Sequence, residues 1–466
     1  MTINQSRPRN CPAGVPHAGV LLVLLTSLVA AQILTPASEA PEKQAPKSSP
    51  ELLKLITPEA VRPIVFSLSA DEFEGRGAGY AGEKKAAQFM AREFQRIGLS
   101  PAGDRTRVGR SYFQEFKFHP RHPIVPWEML TSRNVLGLVE GADPVLKQEI
   151  VVIGAHYDGQ GRLGQADPFR RPPLEVSDKG AQVWPSANDN LTGVAAVLAA
   201  AAAITQARVH PKRSILFIAF GCEEHGQSGS IEYVTHPSFD WNRHVAMINY
   251  EKLGRAPDKP LTAGATGTSP TWREILGQAA GLTGTQVKTP LPFVIPDSDH
   301  YPFAARGIPA IVFSVNGADE AHRPTDVADK IDYARVAEYA RFGLLVLMEV
   351  ANRPDRLVYA DVRGLDPGMI AHLVTDQEAN AAGLIAPDTG LKVTGIIPGG
   401  AADRAGLKAG DLIFKGGDVT FRRDMTLAVL QKMQMEIATG QRGMQLPMTI
   451  LRRGKQLQLV VHLGRE

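Results

Sequence analysis

Five short stretches hold the residues that could do chemistry. In chain order they are Gly154-Ala155-His156-Tyr157-Asp158-Gly159, Asn188-Asp189-Asn190, Cys222-Glu223-Glu224-His225-Gly226, Asn249-Tyr250-Glu251 and Ala321-His322-Arg323-Pro324-Thr325-Asp326. Imidazole and carboxylate groups suit zinc, and a bridging carboxylate can hold two ions. One spare carboxylate can then take a proton from water. Taken singly, several of these signals are weak. His-x-Asp pairs are common on surface loops, and Asp189 before a run of small residues also suits a helix N-cap. Glu223-Glu224 is stronger. Two adjacent carboxylates after a buried strand repel one another and desolvate badly without cations. Asp158 lies two residues beyond His156, on the same side, and could orient the imidazole. Asp326 and Asp329 serve only to shape their loop. His225 reads as a loop residue near the site. Cys222 reads as a small buried residue, because neighbouring carboxylates disfavour a thiolate.

The elements around these stretches explain why they belong together. Asn134–Val139, Glu149–Gly154, Ser214–Phe220, His244–Ile248 and Ala310–Val315 are short apolar runs that read as strands. Gly82–Gly98, Gly193–Ala207 and Ala334–Asn352 carry helical spacing; in the first, Ala86, Ala87, Phe89, Met90, Phe94 and Ile97 recur between charges, and Gly98 suits the stop. Alternation of this kind predicts an α/β fold, a mostly parallel sheet covered by helices on both faces. Sites in such sheets lie at the carboxyl ends of strands, where the stretches above fall.

With those residues in view, 52–351 resembles the exported zinc aminopeptidases related to glutamate carboxypeptidase, which carry two co-catalytic zinc ions on a phosphorylase/hydrolase-like fold. Further carriers are Leu68-Ser69-Ala70-Asp71-Glu72-Phe73-Glu74-Gly75-Arg76, Gly98-Leu99-Ser100-Pro101-Ala102-Gly103-Asp104, Ser298-Asp299-His300-Tyr301-Pro302-Phe303 and Gly307-Ile308-Pro309-Ala310. The resemblance implies two Zn²⁺ per chain. His156 and Glu251 would bind one, Glu224 and His322 the other, and Asp189 would bridge them. Glu223 would be the general base and Asp158 would assist it. The position of Glu251 is usually aspartate in the family, so the arm here is one methylene longer. A long insert between His156 and Asp189, with Arg162, Arg170 and Arg171, could cap the cleft or form a surface loop. Peptides or proteins are the implied substrates. A carboxypeptidase or dipeptidase of the same fold, a non-catalytic peptide-binding protein and a glutaminyl-cyclase-like acyltransferase remain alternatives.

Beyond a polar break at 352–366 the texture changes to short β-like runs with glycine turns: Leu391–Ile397, Asp411–Phe414, Leu446–Arg452 and Gln456–Leu463, with a helix expected over Met425–Ala438. This predicts a small α+β domain over 366–466, and 52–355 as the peptidase domain. Gly390-Leu391-Lys392-Val393, Pro398-Gly399-Gly400-Ala401-Ala402, Ala405-Gly406-Leu407-Lys408-Ala409-Gly410-Asp411 and the hairpin at Arg453-Gly454 resemble a PDZ domain. The resemblance implies that Gly390, Leu391, Lys392 and Val393 receive a peptide C-terminus by strand addition. A packing or assembly module is the alternative.

The bulk composition, 44% hydrophobic and 21% charged, is that expected of a soluble globular protein. A chain of 466 residues is expected to form two or three domains. Its net charge of +3, without basic clusters beside aromatics, argues against a nucleic-acid partner. Arg7 and Arg9 precede the apolar run Gly19–Ala31, and the small residues at Val29-Ala30-Ala31 or Ser38-Glu39-Ala40 suit cleavage, so 1–40 is expected to hold an export signal leading into a linker at 41–51. The run is shorter than the roughly 20 residues of a membrane span, though an uncleaved anchor remains an alternative. No later segment is expected to span a membrane. The two cysteines, Cys11 and Cys222, would leave the processed chain without an internal disulfide. The expected location is periplasmic or extracellular.

Overall fold

The computed structural model describes residues 50–463, apart from 119–128, 163–182, 257, 290–293, 316–320, 361–367, 375–378, 381, 385–389, 417–418 and 422–444. The expected signal, most of the linker, Arg170, Arg171 and the Met425–Ala438 helix therefore lie outside the described residues.

The strands Ser214–Phe220, Ile150–His156, His244–Glu251 and Ala310–Ser314 lie side by side, in that order and all parallel. Each is apolar almost throughout, as a strand covered on both faces must be. The sheet is mixed at its flanks. Leu130–Val139 pairs antiparallel with Ser214–Phe220, and Leu261–Gly264 pairs antiparallel with Ala310–Ser314. The parallel expectation holds for the middle of this nine-stranded sheet and not for its edges.

Alternate residues enter two cores. Val151, Ile153, Ala155, Ile215, Phe217 and Ala219 face one, with helices Pro58–Leu68, Thr192–Gln206 and Tyr333–Asn352. Ile150, Val152, Leu216, Ile218 and Phe220 face the other, with Tyr233, Tyr301 and Phe303. Helix Ala81–Ile97 stops where Gly98 adopts φ 93°, a left-handed conformation that a Cβ would oppose. Thr192–Gln206 is rich in alanine, so it can approach the sheet closely. Ala187–Gln206 is long and apolar enough to cross a membrane, but 94% of its apolar window is buried inside the fold, as a core helix requires.

A six-stranded antiparallel sheet lies C-terminal to this. Its main order is Met369–Leu373, Leu391–Ile396, Leu412–Gly416, Gln445–Arg452 and Lys455–His462, around a core that includes Val393, Leu407, Ile413, Ile450 and Val461. Two expectations change here. Leu391 already pairs with both Leu373 and Ile413, and Lys392 with both His372 and Leu412. The backbone at Leu391–Val393 therefore has no open edge for an added peptide. The polar break also begins as part of the first domain: Arg213 donates to the carbonyls of Arg353 and Pro354, Arg356 to Glu149, Tyr359 to the carbonyl of Ala304, and the amide of Ala360 to the carbonyl of Thr268.

Candidate metal centre

Parallel strands end at one edge of the sheet, and the five stretches meet there. His156 is the last residue of its strand and is 1% exposed. Its Nε2 lies 3.3 Å from Asp189 Oδ1 and 3.3 Å from Glu251 Oε1, the last residue of the neighbouring strand. Beyond Phe220 the chain turns at Cys222, φ 60°, and delivers Glu223 and Glu224 to the same space. His322, φ 63°, approaches from the loop after Ala310–Ser314, with Nε2 3.1 Å from Asp189 Oδ2 and 3.2 Å from Glu224 Oε2. Two donor groups result: His156, Asp189 and Glu251, and Asp189, Glu224 and His322. In each, the ligand atoms lie within 4.8 Å of one another. Each group offers one imidazole and two carboxylates, and Asp189 is common to both. That donor set fits a zinc pair.

Glu223 belongs to neither group. Its Oε1 accepts from Gln227 Nε2 at 3.1 Å, and its Oε2 lies 3.9 Å from His156 Nε2. It stands beside the cluster with a carboxylate oxygen aimed in.

The backbone beneath is held by buried charges. Asp158 accepts from the amides of Glu223 at 3.0 Å and Glu224 at 3.1 Å, while its Oδ1 also sits 3.4 Å from His156 Nδ1. The Asp158 carbonyl also lies 3.2 Å from His156 Nδ1, so the residue faces the imidazole through both groups while its carboxylate anchors the glutamate pair. Asp326 accepts from the amides of Asn188 and Asp189 at 2.9 and 3.1 Å, which gives this loop residue a direct part in placing Asp189. Arg76, fully buried, donates to the carbonyls of Tyr157, Leu68, Pro185 and Ser186, so one guanidinium ties the His156 loop to the Asp189 loop.

Burial works against charge on Asp189, Glu224 and Glu251, but opposite charges outweigh it. His322 draws Glu224 down to about 2, and Lys252 with the two imidazoles draws Asp189 well below the ordinary carboxylate range. Burial likewise opposes protonation of His156, yet Glu251, Asp158 and Asp189 raise it well above an ordinary imidazole. The cluster demands positive charge.

Part of that charge comes from a residue that the sequence reading passed over. Lys252 Nζ lies 3.1 Å from Glu251 Oε2 and 3.7 Å from Asp189 Oδ2. Its adjacency to Glu251 was the one available signal. Asn190 and Ser298 were also not assigned roles; both donate to Glu251 Oε1, at 3.3 and 2.6 Å. His225 lies tilted against Phe118, 5.6 Å between ring centroids, and joins neither donor group. Cys222 is buried with Ala78, Phe116 and Phe118, as a packing residue would be.

Part of the chain is similar to known proteins. Residues 134–347 match peptidase family M28. Aminopeptidase YwaD of Bacillus subtilis (strain 168) is 31% identical over 130 residues, which is 28% of this chain and 23% of that protein, so the alignment spans under a quarter of the relative. A Zn-dependent exopeptidase from Parabacteroides distasonis has the same fold, with a TM-score of 0.51 at 20% identity over 63% of this chain and 98% of its own. A zinc aminopeptidase from Bacillus subtilis, at 18% identity, superposes with a TM-score of 0.49 over 66% of this chain and 98% of its own.

Proposed function

Starting from the match of 134–347 to peptidase family M28, we propose that this chain is a zinc metallopeptidase, an aminopeptidase that uses two ions. The observation that carries this is the pair of donor groups sharing Asp189, with Glu223 beside them and in neither. The family and the named relatives support the same reading.

His156 and Glu251 would hold one ion and Glu224 and His322 the other, with Asp189 available to both. When bound, the ions supply Lewis acidity toward the scissile carbonyl and the attacking water. Glu223 takes a proton from that water as its oxygen bonds to the carbonyl carbon. The same carboxyl group then gives the proton to the leaving amine as the C–N bond breaks. Gln227 keeps Glu223 from swinging away. Asp158 acts through the amides it holds and is a positioning residue. The N-terminal stretch supports export to the periplasm or beyond.

The C-terminal sheet is a PDZ-type module in this reading. Among the described residues, its open edges are Met369–Leu373 and Lys455–His462. A peptide C-terminus adds to Met369–Leu373 rather than to Leu391–Val393. The peptidase domain ends after Ala360, and a chain cut there keeps the bonds from 356–360 that a cut at Asp355 would lose.

The test is a panel of amino-acid anilides and their N-acetylated and carboxyl-terminal counterparts, assayed on zinc-loaded protein. Cleavage of free-amine substrates alone is expected. Cleavage only of substrates with a free carboxylate would replace the aminopeptidase reading, and no cleavage of any would remove the enzyme reading.

A further inference from the structure

A free α-amine is mostly ammonium at neutral pH, and a carboxylate is the side chain that receives it best. The α-nitrogen lies two bonds from the scissile carbonyl carbon, about 2.5 Å away. Its acceptor must therefore stand near the base and the donor groups together. Several acids there are already engaged. Glu251 accepts from Ser298 and Asn190 at Oε1 and from Lys252 at Oε2. Glu223 accepts from Gln227 at Oε1, and its other oxygen serves the attacking water in the two-ion reading. Asp158 and Asp326 hold backbone amides.

Asp297 differs from these in exposure. It precedes Ser298, whose Oγ donates to Glu251 Oε1 at 2.6 Å and accepts from Asn249 Nδ2 at 2.8 Å. Those two bonds tie the turn at Asp297 to the end of the strand His244–Glu251. The carboxylate stands close enough to feel the charges of Lys252, Glu251 and Glu223. Its side chain is nevertheless 63% exposed, whereas those of Asp189, Glu223, Glu224 and Glu251 are at most 6% exposed. Loss of water on its protein-facing side pushes its carboxyl up to about 6, with Lys252 opposing and Glu251 and Glu223 adding, so it is mostly ionised at pH 7. His300 does not neutralise it. That ring's Nε2 lies 4.0 Å from Asp297 Oδ1, beyond hydrogen-bond reach, and burial pushes the imidazole down to about 4.

We propose that Asp297 receives the substrate's α-ammonium and so selects peptides with a free amino terminus, whatever the charge of the first side chain. This rests on the aminopeptidase reading above. It gives that specificity a residue that neither donor group contains.

The experiment compares wild type with Asp297→Asn, Asp297→Ala and Asp297→Glu, each zinc-loaded and checked for zinc content and thermal unfolding. The substrates are the anilides of leucine and of lysine. The inhibitors are leucine hydroxamate and its amine-free analogue, isocaproyl hydroxamate. In the two uncharged variants kcat/KM for both anilides should fall by about tenfold, mainly through KM. That is the low end for a charged hydrogen bond, because the carboxylate is open to water. Leucine hydroxamate should weaken to the same extent, isocaproyl hydroxamate should bind as before, and Asp297→Glu should recover part of the loss. Zinc content should not change. Unaltered kinetics in the uncharged variants, equal weakening of both hydroxamates, or loss of zinc would overturn the role of Asp297. A loss confined to the lysine anilide would also overturn it, and would make Asp297 a reader of the side chain. Each of these leaves the aminopeptidase reading intact. Failure of wild type to cleave either anilide would instead remove that reading.

Discussion

The two halves of the donor cluster are built differently. His156 and Glu251 are the last residues of adjacent parallel strands, and neither is more than 5% exposed. Glu224 and His322 stand on loops, and the His322 side chain is 19% exposed. The sheet itself places the first half. The second half depends on a fastener, Asp158 beneath the glutamate pair, while two more, Asp326 beneath the shared Asp189 and Arg76 between the Tyr157 and Ser186 carbonyls, serve both. Lys252 stands against Glu251 and the shared Asp189.

The sharpest way to test this division is to remove the residue that belongs to neither half. Glu223→Gln should lower turnover by roughly a hundred- to ten-thousand-fold while both ions stay bound. Elemental analysis beside a rate assay checks it, and loss of an ion in this variant would pull Glu223 into one of the halves. Next in size, Glu224→Gln and Glu251→Gln should each leave one zinc per chain, measured by elemental analysis after gel filtration. If either variant kept two, the division of ligands would need redrawing.

Smaller effects come from the fasteners. Asp158→Asn should reduce zinc affinity or activity by about ten- to a hundredfold, the usual cost of losing a residue that orients ligands. The loss should fall on the Glu224 site more than on the Glu251 site, as read by competitive zinc titration of the two sites. Equal losses would show that the fasteners serve the cluster as one body. The smallest effect is on stability. Each ion at a hundredfold excess over its Kd should add about 2.7 kcal/mol against unfolding. Chelation followed by stepwise zinc addition in a thermal melt should therefore raise Tm in two stages, and a single stage would erase the comparison.

How much of this could be read from the chain itself follows from where each residue sits. His156, Glu223, Glu224 and Glu251 each follow an apolar strand directly, so periodicity and residue type together expose them. Lys252 sits one residue past such a strand, where a lysine ordinarily points to solvent, and only the turn at φ 49° brings it back over Glu251. Arg76 was visible as part of a motif, but its task depends on four carbonyls from separate segments, which no local pattern encodes. The central parallel strands were legible as continuous apolar runs. The antiparallel flank strand Leu261–Gly264 is too short to announce itself. Met369–Leu373 was also passed over; the peptide site at Gly390–Val393 came from the PDZ resemblance alone, and Leu391–Val393 is an inner strand.

The central claim is that one carboxylate, Asp189, joins two metal sites. Anomalous diffraction at the zinc edge from crystals of active protein tests it most directly. The account predicts two peaks per chain, each about 2.0–2.2 Å from one oxygen of Asp189, one beside His156 and Glu251 and the other beside Glu224 and His322. A single peak from fully loaded, active protein, or a pair of peaks of which one does not touch Asp189, would contradict it.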